Sequence, residues 1–384
     1  MQRYQFMLEK QPETEQKTST ENRARLIAFY LPQFHPIPEN DEWWGKGFTE
    51  WTVVASAKPL YRGHYQPRIP ADLGFYDLRL PDIRNAQAKM AEAHGIEGFC
   101  YWHYWLGHGK QLLEKPFQEV LRTGEPDFPF CLGWANHPWK GVFFGAKGRT
   151  LIEQEYPGTD DHINHFHYLL QAFSDDRYIT VDGKPLLFVF SPNDIPDIKS
   201  VVDLWQEMAL KQGMKGIYFV GGNINQKYAV EIGFDAVSPY FHRIVEKRWP
   251  PNKYLRKILG IYRTILNIPA IYSYKRAMQF FIQTDVSSKL EIPAIVPNWD
   301  NSPRFESKSV ILHDSTPELF RVHVKEVINK IAHKPYEHRL AFIKSWNEWA
   351  EGNYLEPDLK YGKAYLQVIK DENNSSSLGN GNAN

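Results

Sequence analysis

Apolar residues in this chain come in short, nearly unbroken runs, and most intervening segments carry them every three or four residues. The runs cover 26–31, 98–102, 129–134, 185–190, 216–220, 236–238 and 293–297, with an eighth opening at Arg339. Runs this continuous fit strands buried on both faces, as in a parallel sheet, better than the alternation of a half-exposed strand. Between them, 78–94 places Leu80, Ile83, Ala86 and Met90 on one helical face, and 112–121, 161–173, 198–212 and 318–332 read the same way. Eight strands alternating with helices predict an α/β protein closed as a (β/α)8 TIM barrel. A doubly wound open sheet is the competing arrangement. Its nucleotide-binding forms are weakened because no G-x-G-x-x-G follows the first strand and no G-x-x-x-x-G-K-[ST] occurs.

Three segments break the rhythm and read as long βα insertions. Residues 36–70 have no clean period but hold Trp43, Trp44, Phe48 and Trp51, a composition for a pocket wall or lid. Residues 140–160 form a glycine-bearing loop. Residues 241–290 are rich in Lys, Arg and Tyr, with helical stretches at 254–266 and 273–281. The cations between Arg243 and Arg276 read most simply as a solvated helical insertion; the other reading is contact with phosphate. One barrel domain is therefore expected over 24–369. A polar arm (1–23) and an Asn/Ser/Gly-rich tail (370–384) are expected to be disordered.

Composition changes the picture in one respect. Lys plus Arg and Asp plus Glu are both 45 in 384 residues, so no global charge bias points to nucleic acid or an anionic membrane. Twelve Trp, 21 Tyr and 23 Phe, however, suit a ligand with mixed apolar and polar faces, sugars among them, as well as a large aromatic core. The two cysteines, Cys100 and Cys131, lie in apolar runs and read as buried thiols. The N-terminal residues lack the apolar segment of a secretion signal, and no apolar run is long enough to span a bilayer. The cytoplasm is the simplest location.

A barrel gathers the C-terminal ends of its strands at one mouth. The polar residues found there are His35, His103, His137, Asn223, Tyr240, Asp300, Glu348 and Glu351, with Trp299 among them. Asp300 also suits a turn-capping role, and the histidines could simply be core residues. Glu348 and Glu351 carry most weight. Two neighbouring carboxyl groups push each other's pKa apart and so supply the acid and the base that acetal chemistry needs. Three residues apart on a straight strand they would face opposite ways, so their cooperation requires a turn just past Trp346, with which Gly352 is compatible. No H-E-x-x-H or G-x-S-x-G occurs, so neither a metal nor a serine nucleophile is expected, and no cofactor.

Ala28 to Asn40, Trp43 to Trp51, Gly98 to Trp105, Trp134-Ala135-Asn136, Trp299 to Arg304 and Trp346 to Gly352 resemble the motifs of the WbsX-type family, across roughly 25–368. That family belongs to bacterial surface-polysaccharide gene clusters and is similar to the family 99 glycoside hydrolases, which include endo-α-mannosidases. The resemblance implies a glycosidase-like (β/α)8 barrel. Glu351 would be general acid and base at the glycosidic oxygen. Glu348 would assist the substrate 2-hydroxyl in attacking the anomeric carbon, through a 1,2-anhydro intermediate and with retention. It implies a saccharide-binding surface drawn from Tyr30, His35, Trp44, Glu50, Trp51, Tyr101, His103, Trp134, Asn136, Tyr240, Trp299, Asp300, Arg304, Trp346 and Asn347. The partner would be an oligosaccharide or polysaccharide, with no nucleic acid. A glycosyltransferase of O-antigen or capsular synthesis and a non-catalytic carbohydrate-binding barrel are the alternatives.

Overall fold

A computed structural model describes residues 23–141, 149–239, 244–282 and 290–375. The strands are β1 (Arg25–Tyr30), β2 (Gly98–Trp105), β3 (Phe130–Trp134), β4 (Lys184–Val189), β5 (Tyr218–Gly222), β6 (Ala236–Ser238), β7 (Ala294–Ile295) and β8 (Leu340–Ile343). All pair in parallel in the order β6-β5-β4-β3-β2-β1-β8-β7. The ring closes between β6 and the chain entering β7: Val237 N–H donates to the Leu290 carbonyl at 2.7 Å and Ile292 N–H to the Val237 carbonyl at 2.9 Å. The architecture is thus the expected eight-stranded parallel barrel with helices around it.

The interior is filled by rings from different strands. Phe29 of β1 stacks on Trp102 of β2 at 4.5 Å and on Phe342 of β8 at 5.0 Å, and meets Phe188 of β4 edge-on at 4.9 Å. Truncating one such ring costs about 3–5 kcal/mol. The alternate residues of β1 and β2 point outward: Tyr30 and Tyr101 lie 4.6 Å apart, and Tyr30 OH donates to Gln87 of the helix Pro81–Ala93. Cys100 and Cys131 are free, buried and register partners in adjacent strands.

The helices, in chain order, are α1 (Pro38–Trp44), α2 (Glu50–Ser56), α3 (Pro81–Ala93), α4 (Lys115–Thr123), α5 (Thr159–Phe173), α6 (Ile198–Lys211), α7 (Gln226–Glu231), α8 (Ile244–Arg248), α9 (Lys253–Leu266), α10 (Tyr274–Ile282), α11 (Ser302–Phe305), α12 (Pro317–Ile331) and α13 (Ala364–Ser375). The aromatic 36–70 segment is not structureless, since it carries α1 and α2. The 241–290 segment contributes α8 to α10 and a strand, Ala270–Ser273, that pairs in parallel with Val310–His313 outside the barrel.

One boundary is corrected. The tail expected to be disordered from 370 instead continues α13 to Ser375. Asp371 and Glu372 pair with Arg321 of α12 at 2.8 and 2.7 Å. Asn373 is buried and bonds both backbone groups of Ala24, fastening the end of α13 to the start of β1. A polar composition hid these ties, because they satisfy backbone and charge rather than bury apolar surface. The arm (1–22) and 376–384 lie outside the described residues.

Candidate active site

The chain leaves β8 at Ile343, and Asn347 replaces the ladder that has ended. Its amide oxygen accepts from Leu31 N–H at 2.7 Å and its NH2 group donates to the Leu31 carbonyl at 3.0 Å, so the β1 and β8 loops stay paired. Ser345 Oγ then accepts from the N–H groups of Asn347 and Glu348 at 3.1 and 3.0 Å, which bends the chain. A single 3-10 turn, Trp349–Glu351, follows and ends on Gly352 at φ 56°. A Cβ at Gly352 would lie 2.8 Å from the Asp300 Cβ, so both the backbone angle and the space require glycine. This is the turn that cooperation between Glu348 and Glu351 demanded.

One guanidinium holds both carboxylates. Arg304 Nη1 donates to Glu351 at 2.6 Å and Nη2 to Glu348 at 3.1 Å, while Nε donates to Glu50 at 3.0 Å. A guanidinium is only a few ångströms across, so the two carboxyl groups are near neighbours on one side of it. Glu50 is fully buried on α2, behind Arg304 as seen from the cavity, and acts by aiming that side chain. The electrostatics follow from this crowding. Burial first, then the Glu351 charge, raise the Glu348 carboxyl from the ordinary 4.5 to about 8, against the pull of Arg304. Arg304 is held well above its ordinary range by the three glutamates, despite its burial. Beneath them Lys344 is lowered by burial to about 8, its ammonium 5.7 Å from the centre of the Trp299 ring.

Glu348, Glu351 and Arg304 open onto a cavity of about 520 Å³, within the usual size of small-ligand sites. Trp44, Trp102, Trp139, Phe190 and Trp299 give it aromatic walls, and Gln33, Tyr104 and His137 add polar edges. Trp44 and Trp299 are thus gathered at the mouth with the glutamates. The remaining expected residues do other things. Tyr30 and Tyr101 face the helix layer. His103 bonds His165 of α5 at 2.9 Å, and burial lowers its pKa to about 3, which keeps it neutral. Trp134 donates to the Trp105 carbonyl and packs on His165 and Trp205, again outside the barrel. His35 is buried, with its pKa lowered to about 4 by that burial. Trp51 packs between Phe34, Tyr76 and Trp349 and donates to the Tyr76 carbonyl. Trp346 is fully buried beside Phe99. Asn136 ties the β3 and β4 loops through both backbone groups of Ser191, the carbonyl and the N–H, each at 2.8 Å. Tyr240 lies outside the described residues.

Asp300 is a brace. It is fully buried and accepts from Gln66 at 2.9 Å, contacts His64 at 2.8 Å and Arg68 at 3.4 Å, and caps the following turn through Ser302 N–H. Burial alone would raise its pKa, but these partners hold it well below the usual carboxylate range. Its backbone N–H donates to the Glu351 carbonyl at 2.6 Å, so a charged network stands behind the acidic turn. Among the described residues, no three His, Cys, Asp or Glu side chains are grouped as metal ligands.

A family model described as Glycosyltransferase WbsX matches residues 26–369. The chain belongs to the WbsX family. Two relatives, both "Uncharacterized protein WxcX", come from strains B100 and ATCC 33913 of Xanthomonas campestris pv. campestris. Each is 36% identical over 353 residues, covering 90% of this chain. The chain spans about half the length of these curated relatives, 49% in each case. Among solved structures, the GH99 endo-alpha-mannosidase from Bacteroides thetaiotaomicron superposes with TM-scores of 0.57 and 0.54, at 16% identity over 92% of this chain and 98% of that one. The likeness shows that the chain shares the barrel fold of that structure.

Sequence reasoning missed two parts of this WbsX site. Lys344 had a signal, a lysine inside an apolar strand run, where a cation must find carboxylates. The cavity-lining Tyr104, Trp139 and Phe190 had none, because aromatics on the two faces of a barrel strand look alike in sequence.

Proposed function

We propose that this chain is a carbohydrate-active enzyme that breaks a glycosidic bond with retention, using Glu351 and Glu348. The observation that carries the reading is the convergence of both carboxyl groups on Arg304 at the wall of an aromatic cavity. Two carboxyl groups in different surroundings can supply the acid and the base that chemistry on an acetal needs. In the forward step Glu351 gives its proton to the departing glycosidic oxygen, and the bond from that oxygen to the anomeric carbon breaks. The substrate 2-hydroxyl oxygen forms a new bond to that carbon as Glu348 accepts the hydroxyl proton, giving a 1,2-anhydro sugar. Water then opens this intermediate with the same two residues in reversed roles, which restores the starting configuration. The aromatic walls suit the apolar faces of sugar rings. The likeness to an endo-α-mannosidase fold favours an α-mannoside-type linkage, and a bacterial polysaccharide or oligosaccharide in the cytoplasm is the substrate class proposed.

A second reading exchanges the roles, and one observation favours it: the raised group is Glu348, which therefore keeps its proton at neutral pH. Glu348 would then be the acid and Glu351 the base. Transfer to a sugar acceptor instead of water is the other open outcome, in line with the family description.

The deciding experiment screens surface polysaccharides and α-linked oligosaccharides, then identifies the first-formed anomer by NMR. Retention is expected. Glu351→Gln should lose turnover of poor leaving groups and keep part of it on an activated aryl glycoside, whereas Glu348→Gln should lose both. The opposite pattern assigns the acid to Glu348. An inverted anomer, or full activity in both variants, overturns the proposal. Saturable nucleotide-sugar binding with transfer to an acceptor would make the enzyme a transferase.

A further inference from the structure

Helix α9 is built inside out. Its sequence, KYLRKILGIYRTIL, has apolar residues in the 3.6-residue rhythm of a helix that buries one face, yet none of its residues is buried. Tyr254, Ile258, Ile261 and Ile265, at i, i+4, i+7 and i+11, form an outward stripe that Leu255 and Tyr262 widen. Ile258 is 61% exposed and Ile265 75%. The face turned toward the rest of the protein carries Leu259 between two arginines. Arg256 donates to the carbonyls of Pro250 and Pro251 at 2.6 and 2.8 Å, and Arg263 donates to Tyr272 OH at 3.0 Å. The insertion is the solvated helix expected from the sequence, but the face it gives to water is apolar.

We propose that α9 docks the protein on an anionic lipid surface, lying in the plane of the headgroups with its isoleucine stripe inserted. Charge chooses this occupant. Residues 244–282 carry eight Lys and Arg against one acid, Glu246, and α9 itself has four cations and no carboxylate. A helix made to pair with a second protein commonly carries acids as well as bases along its edges, whereas an interfacial helix is basic on its polar flank. Lys253 and Lys257 are exposed on that flank, where their ammonium groups reach phosphates while their stems lie along the apolar boundary. Tyr254 and Tyr262 on the exposed face match the preference of aromatic rings with a polar tip for the headgroup level. Among the described residues no helix is long and apolar enough to cross a membrane, so this is attachment to a surface.

The placement has a consequence for the barrel. The strand after α9, Ala270–Ser273, pairs with Val310–His313, and Val310 lines the cavity that holds Glu348 and Glu351. A bilayer under α9 would thus lie one strand pairing away from a residue of the cavity wall. The docking argument does not depend on what that site does.

Co-sedimentation of the full chain with vesicles tests the proposal. One set is phosphatidylcholine alone, the other phosphatidylcholine mixed with phosphatidylglycerol. The protein should pellet with the mixed vesicles and stay in solution with the neutral ones, and added salt should release it. Paired Ile258→Glu and Ile265→Glu changes should lower the bound fraction at least tenfold. Paired Lys253→Glu and Lys257→Glu changes should lower it by roughly tenfold or more, from the per-charge attraction of an anionic leaflet. All four positions are exposed, so melting temperature should hold, and that measurement guards against misfolding. Failure to bind the mixed vesicles, or binding that survives the isoleucine changes, overturns the proposal. So does a concentration-dependent dimer, seen by sedimentation equilibrium and lost in the isoleucine variant, which would give the face to a second copy of the chain.

Discussion

Glu348→Gln should stabilise this protein in alkali while abolishing its activity. The Glu348 carboxyl titrates near 8 in the folded chain, against an ordinary 4.5. The folded state therefore holds this proton more tightly than the unfolded state, and stability falls as pH rises from the ordinary pKa through the folded one. At about 1.4 kcal/mol per unit, a span of about three and a half units costs roughly 5 kcal/mol above pH 8, and nothing below the ordinary pKa. Glutamine has the same shape and no such penalty. The pull of Arg304 on the charged form is already contained in that raised value, and Arg304 keeps Glu50 and Glu351 in the variant. The variant should be about 4–5 kcal/mol more stable near pH 8 and close to the parent below the ordinary pKa, so the two stability curves should diverge as pH rises. Lys344, lowered by burial to about 8, adds an opposite slope at higher pH, but it is present in both proteins and largely cancels in the difference. Scanning calorimetry of both proteins across this range gives the answer, with a gain of a few degrees in Tm expected at the alkaline end. Parallel curves, or a variant less stable at pH 8, would refute a strained buried carboxyl at this position.

The other expectations are briefer. Glu351→Gln should cut turnover of substrates with poor leaving groups by roughly 10²–10⁴-fold, read from kcat across an aryl-glycoside series. The same change removes the neighbouring charge that helps raise Glu348, so the Glu348 titration, followed by carboxyl infrared bands, should move downward. Gly352→Ala should destabilise by about 1–3 kcal/mol in denaturant melts and lower kcat, because the new Cβ meets Asp300 at a positive φ. Trp51→Ala should cost about 3–5 kcal/mol of stability, whereas Trp44→Ala, half-buried at the cavity wall, should weaken ligand binding with little change in Tm.

The barrel was legible in the sequence because a parallel strand buried on both faces has no polar positions to interrupt its apolar run, and eight such runs survived translation into β1 to β8. The site was legible only in part. Glu348, Glu351, Arg304, Trp44 and Trp299 line one cavity, whereas His103, Trp134, Tyr30 and Tyr101 sit in the helix layer. The reason is parity: on a strand, odd and even residues face opposite sides, and aromatics occupy both sides of β1, β2 and β3. Sequence gives the alternation but not which side is the lumen when both sides are apolar. Glu50 illustrates a different limit. It lies on the helix that follows the tryptophan-rich stretch, 254 residues from Arg304, and no local pattern reveals that a carboxylate on one loop aims a guanidinium on another.

The arrangement of charge around Arg304 explains why three carboxylates can share so small a volume. Two acids alone, this buried, would both protonate at neutral pH, and neither could then act as a base. The Arg304 cation between them favours the charged forms, while burial and the neighbouring carboxylate raise Glu348. Glu50 balances the excess charge of Arg304 from behind and keeps its Nη atoms directed at the cavity. Lys344, itself poised near neutrality beneath the pair, adds a second cation whose charge depends on theirs. Asp300, tied to His64, Gln66 and Arg68, fixes the turn from outside by its bond to the Glu351 carbonyl, so the acidic pair cannot relieve its crowding by moving apart. The strain is thus locked in by backbone and buried ion pairs. These fixed supports are what the proposed acid–base roles of the two carboxyl groups would rely on.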